Sequence, residues 1–412
     1  MTKLDIIVYG VTAFTGQLVL RHLLSSATAA GTQWGVAGRS REKVQAALKA
    51  AGAPESTPVI VADSADAASI EAMVRQTKLV LSLVGPYTTY GEPLARTLAS
   101  MASMVKSELT FDTLKAKLYS RVAVESRAVI LHACGFDSVP SDLCAFLAVQ
   151  QLKKVAGADV KVGRVTSAVS MKAYISGGTL STMYTALDGP KESKKVGSNP
   201  FALSPIPGNH KAKPTILTSH TFAGKRTWGG FWMMSPYNEQ IVRRSWGVLE
   251  SSAPSSKVLS YGPDFTYAEF LKCSGPISAA LTSFLMLSAF ALLVLFPPLR
   301  WALQKYYLQP GEGPSEAQQK AGWVKMETVA KSVDGKHEVS AIMTGKGDPG
   351  YSLTAVMICE SALALVRDSE RLPPLATIGG PLTPATALGN VLVERLEATG
   401  KFSFTTEDGK RE

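Results

Sequence analysis

The chain has 412 residues, of which 46% are hydrophobic and 18% charged, so it is long enough for two or three domains with substantial cores and is not intrinsically disordered. Its 43 Lys+Arg residues outnumber 33 Asp+Glu residues and give a net charge of +10, yet no basic helix interleaved with aromatics and no zinc-finger spacing indicates nucleic acid binding. An anionic membrane surface or a phosphorylated cofactor accounts for the charge equally well. The four cysteines form no CxxC pair, so neither a disulfide scaffold nor a metal site is expected.

A strand, a tight turn and a helix open the chain. Residues 5–9 form a short β-branched run that ends at Gly10, and apolar residues recur at helical spacing after Gly16. A second strand completes a βαβ unit, the context that a dinucleotide fingerprint requires. The spacing is G-x-x-A-x-x-G, so the middle glycine of that fingerprint is replaced, and a simple turn is the alternative. The residues predicted to bind a nucleotide here are Gly10, Thr12, Ala13, Phe14, Thr15 and Gly16.

Three of these positions have a defined physical role in such a site. Gly10 lets the chain turn at the end of the strand, Ala13 lets backbone approach a pyrophosphate, and Gly16 lets the helix and strand pack closely. The helix N-terminus then offers unpaired N–H groups and the positive end of its dipole to the phosphates.

The second strand ends in Arg39, Ser40 and Arg41. Sites for NAD usually carry Asp or Glu here to accept a hydrogen bond from the ribose 2′-OH, whereas guanidinium groups suit a 2′-phosphate. The sequence therefore predicts NADP(H) as the cofactor. The alternative is that both arginines are ordinary solvated residues of a loop.

Two further strands are expected to end at the same edge of the sheet. Asp63 follows the third strand and either contacts the adenine side of the cofactor or caps the next helix. The fourth strand, 79–84, leads into Gly85, Pro86 and Tyr87. Gly85 and Pro86 are predicted to form a turn where the nicotinamide ribose and the substrate meet. Tyr87 either donates a proton to the reduced product or packs within the loop as an aromatic side chain.

A later turn is predicted to lie at the same edge of the sheet. The strand at residues 128–131 is followed by the sequence HACGFDSVPSD, in which Pro140 begins a helix. Such a turn aims N–H groups towards the carboxyl edge of the sheet, so Asp137 and Ser138 are the predicted substrate-side residues. Capping of the helix is the alternative role for both.

Seven motifs occur in a fixed order along nearly the whole chain: GVTAFTGQLV, VAGRSREK, VGPYTTYGEPL, ACGFDSVPSDL, SGGTL, GDPGY and LTPATALGN. Together they resemble the saccharopine dehydrogenase-like oxidoreductases, membrane- and lipid-droplet-associated proteins of eukaryotes, and are similar also to bacterial trans-acting enoyl reductases of glycolipid assembly. The resemblance implies an α/β fold in three parts. These are a Rossmann NADP-binding domain (1–142), a second α/β domain inserted after it (143–345), and a C-terminal segment that returns to the first (346–412).

One stretch departs from the family pattern. Between the GEPL and CGFDS motifs the family usually has a strand with a motif like HYVDLTGE, whereas residues 99–112 read ASMASMVKSELTFD. Because this stretch lacks a comparable β-branched run, the strand is expected to be missing. Its loss beside the nicotinamide end would leave a divergent or idle enzyme.

Residues 277–296 carry no charge and are apolar on every face of a helix. About 20 such residues suffice to cross a hydrocarbon core, so a membrane-associating helix is predicted, with a buried helix of a soluble protein as the alternative. Residues 299–308 mix aromatic and basic side chains, as an interfacial segment does. Since the C-terminal segment is expected to return to the first domain, a monotopic or hairpin insertion is favoured over a single crossing.

The last part of the chain carries three local signals. Residues 324–333 and 337–344 are predicted to pair as a hairpin. Thr383 is predicted to cap a last helix that begins at Pro384. The polar tail after Gly400 is expected to fray.

These observations predict an NADP(H)-dependent oxidoreductase that acts on a lipid-like small molecule at a membrane or lipid-droplet surface, in lipid or glycolipid metabolism. The alternative is a catalytically idle nucleotide-binding protein with a structural role on lipid droplets. A soluble amino-acid substrate of the saccharopine kind would need no membrane anchor and rests on the family name alone. The expected location is a lipid droplet, the endoplasmic reticulum or mitochondria, with the globular part in the cytosol, and a homodimer stays open.

Overall fold

The computed structural model describes residues 3–84, 94, 96–98, 103–106, 121–174, 199–208, 216–222, 224–252, 258–306 and 312–409. Two seven-stranded sheets organise these residues. Every pairing in the first sheet is parallel. The second sheet is mixed.

The first sheet contains β1 (Leu4–Tyr9), β2 (Trp34–Gly38), β3 (Val59–Val61), β4 (Thr77–Ser82), β5 (Ser103–Lys106), β6 (Val129–Leu131) and β13 (Gly380–Leu382). Helices α1 (Phe14–Ser25), α2 (Arg41–Ala51) and α3 (Ala67–Val74) connect its first four strands. The spatial order is β3-β2-β1-β4-β5-β6-β13, and its first six strands follow the order of a doubly wound nucleotide-binding sheet. Ile6, Ile7 and Val8 are completely buried, because a central parallel strand is covered on both faces.

The expectation that a strand is missing between residues 99 and 112 is wrong. Strand β5 lies within that stretch, pairs with β4 from Leu79↔Ser103 to Ser82↔Lys106, and pairs with β6 on its other side. Strand propensity is a weak preference that neighbouring strands override, and hydrogen bonding on both edges holds β5 in place without a β-branched run. The sheet is therefore continuous beside the crevice, and the observation that favoured an idle protein is removed.

The second sheet contains β7 (Val162–Lys172), β8 (Leu217–Phe222), β9 (Lys225–Gly230), β10 (Thr266–Cys273), β11 (Trp323–Ser332), β12 (Glu338–Lys346) and β14 (Phe402–Asp408). Their order is β14-β12-β11-β7-β10-β9-β8, in which β7 and β10 run parallel and the other neighbours antiparallel. Helix α4 (Val139–Ala156) packs against β11 and β12, and α5 (Ser235–Ser251) packs against β10. The predicted hairpin is confirmed as β11 and β12, with Gly335 in the left-handed region at its turn.

The remaining helices are α6 (Pro276–Leu295), α7 (Pro297–Tyr306), α8 (Glu316–Ala321), α9 (Thr354–Arg367), α10 (Pro374–Ile378), α11 (Pro384–Ala387) and α12 (Gly389–Ala398). Thr383 caps α11 as predicted, because its Oγ1 accepts a hydrogen bond from the N–H of Thr386 at 3.4 Å.

The C-terminal part of the chain contributes to both sheets. Helix α9 lies over the first sheet against α1, and β13 pairs with β6 at the edge of that sheet. The prediction of a frayed tail after Gly400 is wrong, because β14 pairs with β12 over its whole length and Phe402 is buried in the core. The boundaries at 142/143 and 345/346 stay a prediction.

A buried cluster of polar and charged side chains links α1 to the C-terminal helices α9 and α12. The carboxylate of Glu360 on α9 is completely buried and lies 2.8 Å from Nε2 of His22 on α1. The same carboxylate accepts hydrogen bonds from Thr28 at 2.5 Å and from Arg395 of α12 at 2.9 Å. Arg395 also pairs with Asp368 at 2.7 Å. Each buried charge in the cluster therefore has a partner, as burial in a low-dielectric core requires.

We expect Glu360→Ala to lower the free energy of unfolding by about 3–5 kcal/mol, because it leaves the His22 and Arg395 groups buried without their shared acceptor. Urea denaturation monitored by circular dichroism measures the change. Glu316→Ala is the matched control, since Glu316 pairs with Arg21 at 3.1 Å on the exposed surface, where an ion pair contributes little. Equal effects of the two substitutions would contradict this account of the cluster.

Candidate functional site

The strand order of the first sheet reverses between β1 and β4, and we call the region at the carboxyl edge of these two strands the crevice. These neighbouring strands are joined to the rest of the sheet in opposite directions, which is where doubly wound folds bind ligands. The N–H of Leu83 donates to the carbonyl of Tyr9 at 2.8 Å. Gly10 adopts a φ of +100°, and a Cβ built there would lie 3.0 Å from the side chain of Val84. A glycine is therefore needed where the two strand ends meet.

The helix α1 begins immediately above this crevice. A Cβ on Gly16 would lie 2.7 Å from the carbonyl oxygen of Gly10, so the helix approaches the turn as closely as backbone atoms allow. Ala13 is the N-cap residue and provides no side-chain hydrogen bond. Thr12 and Ala13 are exposed, and the first N–H groups of a helix have no partner within it. This turn can accept an anion on backbone N–H groups at the positive end of the helix dipole.

The ring of Phe14 turns away from the strand ends and packs on the C-terminal part of the chain. It meets Tyr351 edge to face with the ring centroids 5.4 Å apart, and Gly313 has no room for a Cβ beside it. Only the backbone N–H of Phe14 is therefore available to a phosphate, while its side chain fixes the start of α1. Thr15 follows it in the first helical turn and is half-buried.

Arg39 and Arg41 flank the end of β2 and are both exposed. Among the described residues neither guanidinium has an ion-pair partner. Ser40 between them accepts a hydrogen bond from the N–H of Lys43 at 3.3 Å and caps α2. Two unpaired cations thus lie at the position where a ribose 2′-substituent is recognised in this type of sheet.

Asp63, at the end of β3, shapes its own turn. Its Oδ1 accepts a hydrogen bond from the N–H of Ala65 at 3.0 Å, and its backbone N–H donates to Ser69 Oγ at 3.0 Å. The helix α3 is capped by Asp66, which accepts from the N–H of Ala68 at 3.0 Å. Asp63 is therefore not the helix cap, and contact with the adenine side of the cofactor stays a prediction.

Gly85, Pro86 and Tyr87 lie outside the described residues, as does the SGGTL motif, so their predicted roles stay predictions. The described residues that precede the two segments are each held by a contact. Val84, which precedes Gly85, touches Gly10, and the N–H of Tyr174, just before the SGGTL motif, donates to Asp348 at 3.1 Å.

Asp348 belongs to the GDPGY motif and was not predicted to have a role. Its carboxylate caps a π-helical turn, Pro349–Leu353, by accepting from the N–H of Tyr351 at 2.9 Å. Burial raises the pKa of Asp348 above its usual value, although both backbone hydrogen bonds oppose the shift. Because Tyr351 packs on Phe14, this turn supports the start of α1. The Asp-Pro-Gly order is a recognisable cap signal, which could have identified the turn.

The turn after β6 carries Asp137 and Ser138. Ala133, at its start, has a φ of 56°, a left-handed conformation that is uncommon for a non-glycine residue and costs about 1–3 kcal/mol. The N–H of Phe136 donates to Thr354 Oγ1 at 3.0 Å. Ser138 does not cap α4 through its side chain, which instead donates to Oδ1 of Asn238 at 3.3 Å. The turn is thus held by side chains from two other parts of the chain.

Asp137 is half-buried as a residue, and no described residue supplies its carboxyl group with a hydrogen bond or a counter-ion. Desolvation by the surrounding protein raises the pKa of Asp137 to about 6. A carboxyl group in this state keeps its proton up to a higher pH than an exposed aspartate does, and it can release the proton near neutral pH.

A buried polar network that sequence reasoning missed lies directly behind this turn. Glu269 on β10 accepts hydrogen bonds from Ser141 at 2.6 Å, Asn238 at 2.9 Å and Tyr267 at 2.8 Å. Burial raises the pKa of Glu269 despite these donors. Asn238 thereby connects Glu269 to Ser138, so the second sheet is linked to the substrate-side turn within a network of five side chains. They are spread over more than 120 residues, and no local pattern could have grouped them.

No group of three or more His, Cys, Asp or Glu side chains with metal-site geometry occurs among the residues that the structure describes. All four cysteines are free thiols, and burial raises the pKa of Cys359 well above its usual value. Burial has the same effect on Cys144. Neither thiol is therefore placed for nucleophilic chemistry.

Comparison with known proteins identifies the relatives of this chain. Residues 6–105 match the saccharopine dehydrogenase NADP binding domain. The trans-acting enoyl reductase of Mycobacterium tuberculosis is 31% identical over 98% of this chain and 98% of its own length. The enzyme of that name from Mycobacterium ulcerans is 30% identical, with 97% and 96% covered. Apo saccharopine dehydrogenase (L-Glu forming) from Saccharomyces cerevisiae superimposes with a TM-score of 0.52 and 13% identity over 98% of this chain and 100% of that structure, which shows a shared fold.

These matches confirm the resemblance stated from the motifs, and the NADP-binding domain match confirms NADP(H) as the cofactor. The turn from Gly10 to Gly16 fits that cofactor, because its two glycines let the N-terminus of α1 pack directly against the end of β1, where the free N–H groups of the helix can bind phosphate. The chain is an NADP-binding oxidoreductase of this family.

The raised pKa of Asp137 predicts a dependence of stability on pH. Between about pH 4 and 6 the folded protein retains the proton that the unfolded chain releases, so this group lowers the free energy of unfolding as pH rises through that window. We expect Asp137→Asn to remove that contribution and to stabilise the protein above pH 6 by roughly 1–3 kcal/mol, with no gain at pH 4.

Urea denaturation at pH 4, 6 and 8 tests this expectation. Asp159→Asn, which removes one carboxyl from an exposed position, serves as the control for a change of net charge. If the free energy of unfolding changed with pH in the same way for the wild type and Asp137→Asn, the raised pKa would be contradicted.

Proposed function

Because the chain belongs to the saccharopine dehydrogenase-like family of trans-acting enoyl reductases, we propose that it reduces a carbon–carbon double bond of a lipid-like substrate with NADPH at a membrane surface. The observation that carries the proposal is the position of two exposed arginines, without ion-pair partners among the described residues, beside an anion-accepting helix N-terminus at the strand crossover. The continuous first sheet supports an active enzyme over an idle one, since β5 borders the crevice.

The cofactor would be held by groups of three kinds. Backbone N–H groups of residues 12–16 bind the pyrophosphate, and Gly10 and Gly16 keep the approach free of side chains. Arg39 and Arg41 bind the 2′-phosphate through their guanidinium groups. Asp63 faces the adenine side, and Gly85 and Pro86 border the nicotinamide ribose.

The reduction needs one hydride and one proton. When bound, the nucleotide would supply the hydride to one carbon of the double bond. Asp137 is placed at the same sheet edge, and with its pKa raised to about 6 a fraction of it carries a proton near neutral pH, so it can protonate the neighbouring carbon directly or through Tyr87. Ser138 is held by Asn238 and orients the turn. The double bond would thereby gain two hydrogens, one as hydride from the cofactor and one as a proton from the protein.

A membrane surface is supported by α6. Within the described part of the chain, two helical segments are long and apolar enough to span a bilayer, α6 and the continuous segment Pro349–Arg367, and the second is mostly buried in the protein. Helix α6 instead exposes large apolar side chains along its length, with Ile277 84% exposed and only Ala279 and Ser283 buried. A face of this kind on a soluble surface would be unusual, whereas lipid covers it at no cost.

The neighbouring helix α7 has the character of an interfacial segment. Lys305 lies over the rings of Trp301 and Tyr306, at 4.8 and 5.2 Å from the centroids. Amphipathic rings and basic groups of this kind concentrate at the level of lipid headgroups.

The sheet restricts how α6 can enter a membrane. Strand β10 precedes α6, and β11 follows α7, and both pair with β7 in the same sheet. Both ends of the apolar segment therefore lie on the same side of the bilayer, which favours a monotopic or hairpin insertion. Such an insertion is compatible with a lipid-droplet monolayer as well as with the endoplasmic reticulum or mitochondria, with the globular part in the cytosol.

The double substitution Arg39→Ala/Arg41→Ala tests the cofactor assignment. We expect it to weaken NADPH binding at least tenfold and to leave NADH binding within about twofold, because only NADPH carries the 2′-phosphate. Titration of nucleotide fluorescence measures both affinities. Lys49→Ala, at the far end of α2, is the control for loss of a basic group. Binding of both nucleotides without turnover of any lipid enone or ketone would favour the idle nucleotide-binding protein.

Replacement of residues 277–296 by a Gly-Ser linker tests the membrane assignment. We expect the variant to leave the membrane fraction in a flotation assay with phosphatidylcholine vesicles, while its urea denaturation stays cooperative, because α6 buries little of its surface in the protein. A variant that still floats with the vesicles would show that the anchor lies elsewhere.

A further inference from the structure

A short apolar segment connects the exposed helix α6 with the substrate-side turn. Residues 231–234, Phe-Trp-Met-Met, leave β9 at Gly230 and lead into α5 at Ser235. We call these four residues the apolar bridge. They carry no charge, and neither do the three residues that follow them.

One end of the apolar bridge is fixed to α6. The N–H of Phe231 donates to Ser283 Oγ at 2.7 Å. A Cβ on Gly230 would lie 2.7 Å from the carbonyl oxygen of Ala279. Ala279 and Ser283 are the buried residues of α6, so this contact is where the apolar helix meets the globular protein.

The other end leads to the turn that holds Asp137. The N–H groups of Ser235 and Asn238 donate to the carbonyls of Trp232 and Met234, each at 3.0 Å. The side chain of Asn238 then accepts the hydrogen bond from Ser138. Seven residue steps separate Phe231 from Asn238, which limits the distance between their Cα atoms to about 25 Å.

The side chains of the apolar bridge remain accessible. Met233 is 49% exposed, and Phe231, Trp232 and Met234 are each half-buried. Methionine side chains are flexible and polarisable and adapt to apolar ligands of different shapes. These four residues therefore offer an apolar surface that the described residues leave partly uncovered.

We propose that the apolar bridge is the path along which the acyl chain of a membrane lipid reaches the crevice. The inference rests on the proposed function and specifies its substrate class as a long-chain lipid that stays partly in the bilayer. The occupant is a lipid chain because the bridge is continuous at one end with a 20-residue helix that has an exposed, uncharged surface. The bridge leads at its other end into α5, whose Asn238 binds Ser138 in the turn of Asp137, so the polar, reactive part of the same molecule would lie beside that turn.

Photochemical labelling tests this path without any turnover. The full-length protein is incubated with phosphatidylcholine vesicles whose lipids carry a photoactivatable diazirine on the acyl chain, and labelled residues are identified by mass spectrometry. The expected result is labelling within residues 231–234 as well as on α6. Labelling confined to α6 and α7 would overturn the inference.

A matched pair of substitutions sharpens the test. Met233→Asp places a charge on the apolar bridge, and we expect it to reduce labelling of residues 231, 232 and 234 at least fivefold while labelling of α6 is unchanged. Val258→Asp adds the same charge at a residue that is 71% exposed elsewhere and is expected to alter neither. Circular dichroism confirms that both variants are folded. Undiminished labelling of the bridge in Met233→Asp would refute the path.

Kinetics separate this inference from the proposed function. With a C16 enoyl thioester in vesicles, Met233→Asp should raise KM at least tenfold and leave kcat within twofold, whereas a soluble C6 enoyl thioester should show no change in either constant. If the wild type reduces neither thioester, the proposed enoyl reduction fails, while the labelling result still decides on the path.

Discussion

The close packing of α1 on the turn at Gly10 is the constraint on which the rest of this structure depends. At Gly16 the helix meets the carbonyl oxygen of Gly10 with no space for a single carbon atom, and at Gly10 the chain meets the end of β4. These two contacts bring the positive end of α1 to the point where the strand order reverses. Backbone groups alone thus create a site for a dinucleotide phosphate, and β2 adds two arginines at its edge.

This site is held from outside the first βαβ unit. Asp348 orders the π-helical turn whose Tyr351 packs on Phe14, and Glu360 binds His22 in the last turn of α1. The residues that support the cofactor turn therefore come from more than 300 positions later in the chain. On the substrate side, Glu269 of the second sheet reaches the turn after β6 through Asn238. Both halves of the crevice depend on elements that are distant in sequence.

The parts of the fold that follow from local chemistry could be predicted from the sequence. The first βαβ unit, the hairpin at Gly335 and the cap at Thr383 each arise from periodicity or turn residues within a few positions. Strand β5 could not, because its pairing partners stabilise a sequence with little intrinsic strand preference. The tail strand β14 does carry Phe and Thr residues that favour strands, but its polar composition obscured this signal. The Glu269 network could not be predicted either, because its hydrogen-bond donors are distant in sequence. Only the folded chain brings them to the buried carboxylate.

The central claim is that NADPH binds in the opening turn, and titration of Gly16→Ala with NADPH tests it most directly. The added methyl group has no room at Gly16, whereas the matched substitution Gly275→Ala meets nothing within 4 Å. The account predicts at least a tenfold loss of NADPH affinity for Gly16→Ala and wild-type affinity for Gly275→Ala. Wild-type affinity in a folded Gly16→Ala variant would contradict it.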